Sequence, residues 1–353
     1  SNRGEAGGTV WSSRSTVMIR QRSDLRSVLL LRCSPEWLNM KYQFPRGGWT
    51  NLMTSLEATS RLLREVFPQH AKYRHSGYLE WEYSLSPSGT VIESNEDDDE
   101  GRCGHYAVVP QRWRIDGEAC TYALSLNTAV SSRSRGKGVF SRLARTVIER
   151  ARDLEVTGLI GVSNAESTPG FVKSLGYELF GPLPVVLLPP ISPKRAQVFD
   201  LGTVAEMSAW CHEARRHRDS ASGPLREWDV EELVWRLADP AHDYQVLLSD
   251  GLLAVIHATT FHRLRVAVIV KVFVRDPTTP IEISPVATAA CRALRAPVAL
   301  YGGHNPDLRL RGLGIPTRLR ASPLNLIVKS LVADMKPSEL VPDCFEFLDF
   351  DAY

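Results

Sequence analysis

At 353 residues the chain is long enough for two domains of ordinary size. Its 43% hydrophobic and 23% charged residues make the composition of a folded globular protein and exclude wholesale disorder. A net charge of +2, from 42 basic and 40 acidic side chains, excludes a chain whose main task is coating nucleic acid or anionic lipid. No apolar run approaches about 18 residues, so no membrane span is expected. The first residues, Ser1-Asn2-Arg3-Gly4, hold no apolar signal core. Six cysteines (Cys33, Cys103, Cys120, Cys211, Cys291, Cys344) are scattered, with no C-x-x-C pair and no histidine at ligand spacing. That pattern leads us to expect reduced thiols, no metal site and a cytoplasmic location. Arginine outnumbers lysine 34 to 8, which we read as the coding bias of a GC-rich genome.

In chain order, residues 1–15 are rich in Ser, Gly and Arg and are expected to be a mobile N-terminal segment. A strand-like run at Val28–Leu31 precedes a helical pattern over Thr50–Val66, where Leu52, Leu56, Leu62, Leu63 and Val66 form one stripe. The acidic tract Asn95–Glu100 reads as a solvated hairpin tip. Two β-rich runs, His105–Ile115 and Ala119–Val130, flank the hairpin pair Asp116-Gly117. Over Val139–Leu154 the apolar residues Phe140, Leu143, Ala144, Val147, Ile148, Ala151 and Leu154 fall on one helix face. A short strand (Leu159–Val162), a short helix after Pro169 and a strand near Tyr177–Phe180 follow. Five prolines within Pro182–Pro193 predict a linker or an edge crossing between domains.

Beyond the prolines the order starts again. A strand (Gln197–Leu201), a helix (Val204–Arg215), a polar loop (His217–Gly223) and a helix (Val230–Leu237) lead to strands at Tyr244–Ser249, Leu252–Phe261 and Val266–Val274. A helix (Val286–Leu294), a strand (Val298–Tyr301), a short helix and strands at Thr317–Lys329 and Phe345–Phe350 complete the chain. The expected divisions are therefore 1–15, 16–190 and 195–353, with a repeated order of elements that suggests duplication.

The segment Asn127–Phe140 carries the chemistry. It joins a strand to the first turn of an amphipathic helix through Gly136 and Gly138, two residues that let backbone approach a ligand without Cβ obstruction. A helix N-terminus placed just after them offers unpaired N–H groups and the positive end of a dipole, together a cradle for phosphate or diphosphate. The triphosphate motif G-x-x-x-x-G-K-[ST] is absent, and so is the dinucleotide motif G-x-G-x-x-G.

The run Arg133-x-x-Gly136-x-Gly138 resembles the acyl-CoA pyrophosphate loop of the GNAT acyltransferase superfamily. Downstream, Gly161-Val-Ser-Asn164 and Phe171-Val-Lys-Ser-Leu175-Gly176-Tyr177 look like that superfamily's second motif. Upstream, Tyr78-Leu-Glu-Trp81-Glu-Tyr83 with Pro87 and Gly89, then Gly104-His105-Tyr106, are similar to a bacterial branch of GNAT enzymes linked to sugar or natural-product modification. After Val274, where the loop should recur, Arg275–Pro280 contains no glycine.

The resemblance implies an α/β fold of two tandem GNAT-like domains, mixed and mostly antiparallel sheets flanked by helices, the second one degenerate. It implies acetyl-CoA or another acyl-CoA as donor and no metal. The backbone of Gly136, Lys137, Gly138, Val139 and Phe140 would hold the diphosphate, with Arg133 and Arg135 adding charge. Thr128, Ala129 and Val130 would offer a strand edge to the pantetheine arm, and Asn164 and Ser167 would face it. The acceptor would be the amine of a small molecule such as an amino sugar or a natural-product intermediate. Candidates for the base are His105, Asp349 and Asp351, the last two alternating on one face of a terminal strand. Many GNAT enzymes carry an acid tyrosine where this chain has Val172. Alternatives are transfer from an acyl carrier protein or an aminoacyl-tRNA, and acyl-CoA sensing without turnover. A monomer is expected, with no nucleic-acid or membrane partner.

Overall fold

The computed structural model describes residues 48–191, 200–201, 206–207, 210, 223–261, 263–276 and 278–350. The expectations for residues 1–15, Val28–Leu31 and Asp351, and most of those for residues 197–222, lie outside these. Helix α1 (Gly48–Val66) follows the predicted stripe and buries Leu56, Leu62 and Leu63. The short α2 (Tyr78–Ser84) comes next and buries five of its seven residues.

Strands β1 (Ile92–Asp98), β2 (Gly101–Ile115) and β3 (Glu118–Val130) form an antiparallel meander. Asp116 and Gly117, both at positive φ, close the β2–β3 turn as the Asp-Gly signal predicts. Helix α3 (Val139–Asp153) then returns the chain so that β4 (Gly158–Ser163) runs parallel to β3. Its apolar face packs Val139, Leu143, Val147 and Ala151 on Tyr106, Val108, Ala123 and Leu159 of the sheet. Helix α4 (Thr168–Leu175) and β5 (Glu178–Pro182) follow.

The second half repeats this plan. After β6 (Val185–Leu188), β7 (Asp200–Leu201), β8 (Leu225–Arg226) and α5 (Val230–Leu237), the strands β9 (Tyr244–Leu248), β10 (Leu252–Phe261) and β11 (Leu264–Val274) form an antiparallel meander. After β12 (Ile281–Glu282), helix α6 (Ser284–Leu294) carries the chain back to β13 (Ala299–His304), parallel to β11. Then come β14 (Leu308–Arg309), β15 (Leu313–Gly314), β16 (Asn325–Ser330) and β17 (Phe345–Glu346).

The two sheets exchange strands. The first has the order β1-β2-β3-β4-β16-β5, and the second β15-β6-β13-β11-β10-β9-β7. Strand β16, late in the chain, thus pairs on both sides in the first sheet, with β4 and β5. Strand β6 does the same in the second, between β13 and β15. Of the two readings of Pro182–Pro193, a linker or an edge crossing, the linker is corrected for Val185–Leu188: the chain passes here from the first sheet to a paired strand of the second. The prolines flank a proline-free stretch, Val185–Leu188, whose N–H groups are intact for pairing, and Leu183 and Leu188 are buried.

Three other expectations change. The strand predicted over Thr317–Lys329 is a 3-10 turn at Thr317–Leu319 followed by β16. The segment after Tyr301 forms the short strand β14 where a short helix was expected. The terminal strand is only Phe345–Glu346 and turns into a 3-10 segment at Phe347–Asp349, so Asp349 does not stand on a strand face.

Helices α2 and α5 meet between the halves. Trp81 Nε1 donates to the Trp235 carbonyl at 2.9 Å, and Trp235 Nε1 donates to the Trp81 carbonyl at 3.1 Å. The rings stack with centroids 5.0 Å apart. The contact has the form of a local two-fold axis, which pairs Leu79 with Leu233, Trp81 with Trp235 and Glu82 with Arg236, all buried. Among the described residues no helix is long and apolar enough to cross a membrane.

Candidate active site

Parallel pairing of β3 with β4 runs from Tyr122–Gly158 to Ser125–Gly161 and then stops. Strand β3 continues to Val130, still paired with β2 on its other edge. The β2–β3 register slips between His105 and Ala107, giving β3 one extra residue, and Asn127 in that bulge has φ +51°. A bulge increases local twist and bends the strand. The sheet therefore opens into a wedge, and the backbone of Leu126–Val130 that faces β4 is not taken up by it.

At the wide end of the wedge lies the loop. A 3-10 turn at Ser132–Ser134 leads to Gly136 (φ +76°) and Gly138 (φ +72°), both exposed, and α3 begins at Val139. Side-chain-bearing residues adopt that left-handed region only at a cost of about 1–2 kcal/mol. The loop therefore needs glycine for its backbone. Nothing stands within 4 Å of a Cβ built on Gly136, so the space above it is open. The first N–H groups of α3 have no intrahelical acceptor and lie at the positive end of its dipole. This donor set fits a diphosphate followed by an arm that lies along β3.

The arginines divide. Arg133 turns back onto the β1–β2 hairpin, pairing with Asp98 at 2.8 Å and donating to the carbonyls of Gly101 and Arg102. That contact holds the Asp98 carboxyl down to about 2. The Arg133 guanidinium thus braces the loop against the acidic tip of the hairpin and is not turned toward the wedge. Arg135 and Lys137 are exposed. Arg142 in the first turn of α3 bonds Glu96 at 2.6 Å and the Lys137 carbonyl at 2.7 Å. Beyond β4, Asn164 accepts from the N–H and hydroxyl of Ser167 at 2.8 and 2.9 Å, which folds the chain into α4. Thr128, Ala129 and Val130 lie on the stretch of β3 beyond its last pairing with β4.

A buried polar group backs the bulge. The Asn127 amide donates to Glu82 Oε2 at 2.6 Å and to the Tyr83 hydroxyl at 2.9 Å, while its oxygen accepts from Tyr73 at 2.8 Å. Glu82 Oε1 accepts from Tyr78 at 3.0 Å. Tyr83 also bonds His105 Nε2 at 2.8 Å, and His105 Nδ1 meets Asn95 at 2.7 Å. Burial, with Arg102 nearby, lowers the His105 pKa to about 3, so the ring is neutral at ordinary pH. On the opposite face, at the narrow end of the wedge, the Tyr106 hydroxyl lies 3.0 Å from that of Ser125 and 3.0 Å from that of Tyr177. Val172, half-buried on α4, offers no hydroxyl.

Asp349 is fully buried in ion pairs. Its carboxylate accepts from Lys271 at 2.6 Å, Trp228 at 3.0 Å and the Glu346 N–H at 2.7 Å. Burial opposes the charge on Lys271, but Asp349 and the other acidic groups around it outweigh that and raise its pKa. These bonds make Asp349 a structural counter-charge rather than a poised base. A narrow gap with room for about one water molecule lies between Asp349, Glu82, Gln111, Leu126, Arg226 and Arg236.

Sequence reading missed Glu82 and its tyrosines. The only signal was the run Tyr78-Leu-Glu-Trp81-Glu-Tyr83 itself, which is too short to show a helical period. Among the described residues no group of three or more His, Cys, Asp or Glu side chains is arranged to hold a metal ion.

The second sheet has a wedge too, but it is filled. Strands β11 and β13 pair from Ala267–Ala299 to Ile269–Tyr301 and then part. Strand β17 lies in the gap, antiparallel to β13 through Gly303–Glu346, and Glu346 accepts from the Val272 N–H of β11 at 3.2 Å. The ring of Phe347 packs on Gly302.

Residues 53–180 match the family model of the acetyltransferase (GNAT) domain. No curated protein matches the sequence. The chain is similar in structure to a GCN5-related N-acetyltransferase from Anabaena variabilis ATCC 29413, with 10% identity, a TM-score of 0.57, and coverage of 79% of this chain and 71% of that one. It is similar to a conserved protein of unknown function from Enterococcus faecalis V583, a probable N-acyltransferase (12%, 0.54, 79% and 70%). A GCN5-related N-acetyltransferase from Kribbella flavida is a third (14%, 0.52, 78% and 69%). At these identities the likeness speaks for the fold. Residues 53–180 form a GNAT acetyltransferase domain, and the protein is an enzyme of the acyltransferase class.

Proposed function

We propose that the protein is an acyl-CoA-dependent N-acyltransferase with a single donor site, in the first sheet. The observation that carries this is the meeting of two features: a glycine loop opening onto the N-terminus of α3, and a β3–β4 wedge that starts beside it. The donor, acetyl-CoA or a longer acyl-CoA, supplies an activated thioester carbonyl. The amides from Gly136 to Phe140 hold its diphosphate, and the free edge of β3 takes its arm by strand-like hydrogen bonds. An N–H of that edge polarises the carbonyl.

The second half is a degenerate GNAT-like unit in this reading. Its loop has no glycine, and β17 fills its wedge. The structural likeness covers 79% of the chain, well beyond residue 180, in keeping with a tandem arrangement. Because the strand exchange lies within one chain, we propose a monomer, located in the cytoplasm. The acceptor is the amine of a small molecule; an amino sugar or a natural-product intermediate is the class the upstream motif favours.

Titration calorimetry with acetyl-CoA tests the donor site. One equivalent bound per chain is expected, and thiol release with a panel of amines should follow. Absence of binding, or two equivalents per chain, would overturn the reading.

A further inference from the structure

We propose that Asn127 is a positioning residue for acyl transfer: its side chain, anchored on α2, fixes the β3 peptide groups that polarise the thioester carbonyl. This rests on the donor site proposed above. The directions of those groups follow from two hydrogen bonds. The Thr121 carbonyl accepts from Thr157, just before β4, at 2.8 Å, and the Ser131 N–H donates to Cys103 of β2 at 2.9 Å. Backbone groups alternate between the two edges of a strand. Counted forward from Thr121, Ser125 and Asn127 face the β4 side. Counted back from Ser131, Ala129 faces β2 and Thr128 faces the wedge. The counts meet in the bulge, where Asn127 and Thr128 together oppose Tyr106. Two successive N–H groups therefore turn toward the wedge. From Val130, beside the loop, back to Asn127 is about 10 Å of strand, so an arm lying along that edge brings its reactive end to them.

The bulge depends on one backbone setting, φ +51° at Asn127, which glycine alone adopts without cost. Asparagine stands there because its side chain holds the setting. It is 7% exposed, and both its polar atoms are bonded: the amide to Glu82 and Tyr83, the oxygen to Tyr73. The network has one direction. The Tyr83 oxygen accepts from Asn127, so its proton goes to His105 Nε2, and His105 Nδ1–H donates to Asn95. No member can reverse without losing a bond. Glu82 and Tyr83 directly follow Trp81, which is clasped by Trp235 of α5. The second half thereby holds α2, and α2 holds the bulge. The second sheet offers an internal control. Its register slips at Val270, which is apolar and not at positive φ, and there the wedge is filled. The anchored amide is present where the wedge is open.

In the step itself the amine nitrogen bonds to the acyl carbon, and negative charge gathers on the carbonyl oxygen. Donors already fixed at that oxygen stabilise the charge without rearranging. The C–S bond then breaks, CoA leaves as its thiolate, and the proton lost by nitrogen passes to solvent. Asn127 touches neither reactant; it acts through the peptide groups it holds.

The test uses the full chain and acetyl-CoA isotope-labelled at the thioester carbonyl, read by infrared difference spectroscopy. Binding to the wild type should move the carbonyl stretch to lower frequency, the mark of hydrogen bonds to its oxygen. Asn127→Gly leaves the left-handed backbone open to the residue and removes its anchors. It should bind acetyl-CoA with unchanged affinity and lose most of that shift. Its kcat with the best amine of the panel should fall by about 10²–10³, the loss expected for a misplaced oxyanion donor, with KM for the amine level. A residue that only stabilises the fold would lower the urea midpoint and leave stretch and kcat alone, which overturns the proposal. So does a fall in kcat matched by an equal fall in acetyl-CoA affinity. A wild-type chain that fails to bind acetyl-CoA sinks the donor site and this role with it. One that binds without a shift sinks only the role of Asn127 and leaves the cradle standing. Should Asn127→Gly not fold, Tyr83→Phe, which removes one acceptor of the amide, decides: a wild-type stretch and kcat there overturn the proposal.

Discussion

The ring of Phe347 occupies the volume in which a Cβ on Gly302 would stand. Gly302 lies on β13 just past its last rung with β11, so the ring is wedged into the opening of the second sheet. Overpacking a filled site costs about 1–3 kcal/mol and emptying one about 3–5 kcal/mol. Both Gly302→Ala and Phe347→Ala should lower stability by those amounts in urea denaturation. Changes below about 0.5 kcal/mol, the range of ordinary surface substitutions, would mean that the opening is not plugged as described.

The loop of the first sheet should respond differently. Gly138 has φ +72° and caps α3. Gly138→Val forces a β-branched residue into that conformation, at a stability cost of about 1–2 kcal/mol. It also places a side chain where the diphosphate is proposed to sit. Acetyl-CoA affinity should drop at least about tenfold, equivalent to about 1.4 kcal/mol, while the urea midpoint moves only modestly. An affinity that survives intact would separate the loop from the donor.

His105 makes the protein acid-sensitive. Its pKa in the folded chain is about 3, lowered by burial and then by Arg102, against 6.5 for an ordinary imidazole. Between those values the unfolded chain binds the proton and the folded chain does not. Stability from this group is therefore full above pH 6.5 and is lost as pH falls toward 3. The slope approaches about 1.4 kcal/mol per pH unit for one proton. Urea midpoints at pH 7, 6 and 5 should decline in the wild type and decline less in His105→Gln, whose amide reproduces the bond to Tyr83. Parallel curves for the two proteins would show that His105 does not titrate differently on folding.

The stretch from β2 to α4 was readable in the amino-acid order because each element is contiguous and signals itself locally. Asp116-Gly117 closes the hairpin, Gly136 and Gly138 mark the loop, and the spacing from Leu143 to Ala151 marks the buried face of α3. What stayed hidden depends on distant chain. Val185–Leu188 looks like a break because prolines flank it, and nothing local shows that β13, more than a hundred residues later, supplies its partner. Glu82 is invisible for a related reason: α2 is buried almost all round, so its seven residues carry no polar–apolar period. Asp349 misled in the opposite sense. Alternation near the chain's end suggested a strand face, whereas the carboxylate closes a 3-10 turn and neutralises Lys271.

The strand exchange sets the last expectation. Strand β16 is hydrogen-bonded to β4 over six residue pairs, from Asn325–Ser163 to Ser330–Gly158, and to β5 on its other edge. A fragment ending at residue 190 loses it, leaving β5 without a strand neighbour and the edge of β4 bare. The same fragment carries β6, an apolar strand whose partners β13 and β15 are gone. Unpaired edges of this kind recruit other chains. Fragment 1–190 and fragment 191–353 should each aggregate or give collapsed amide NMR spectra, whereas refolding them together should restore dispersed signals. A well-dispersed spectrum from fragment 1–190 alone would show that the first sheet closes without β16. The halves would then be independent domains rather than one interlocked unit.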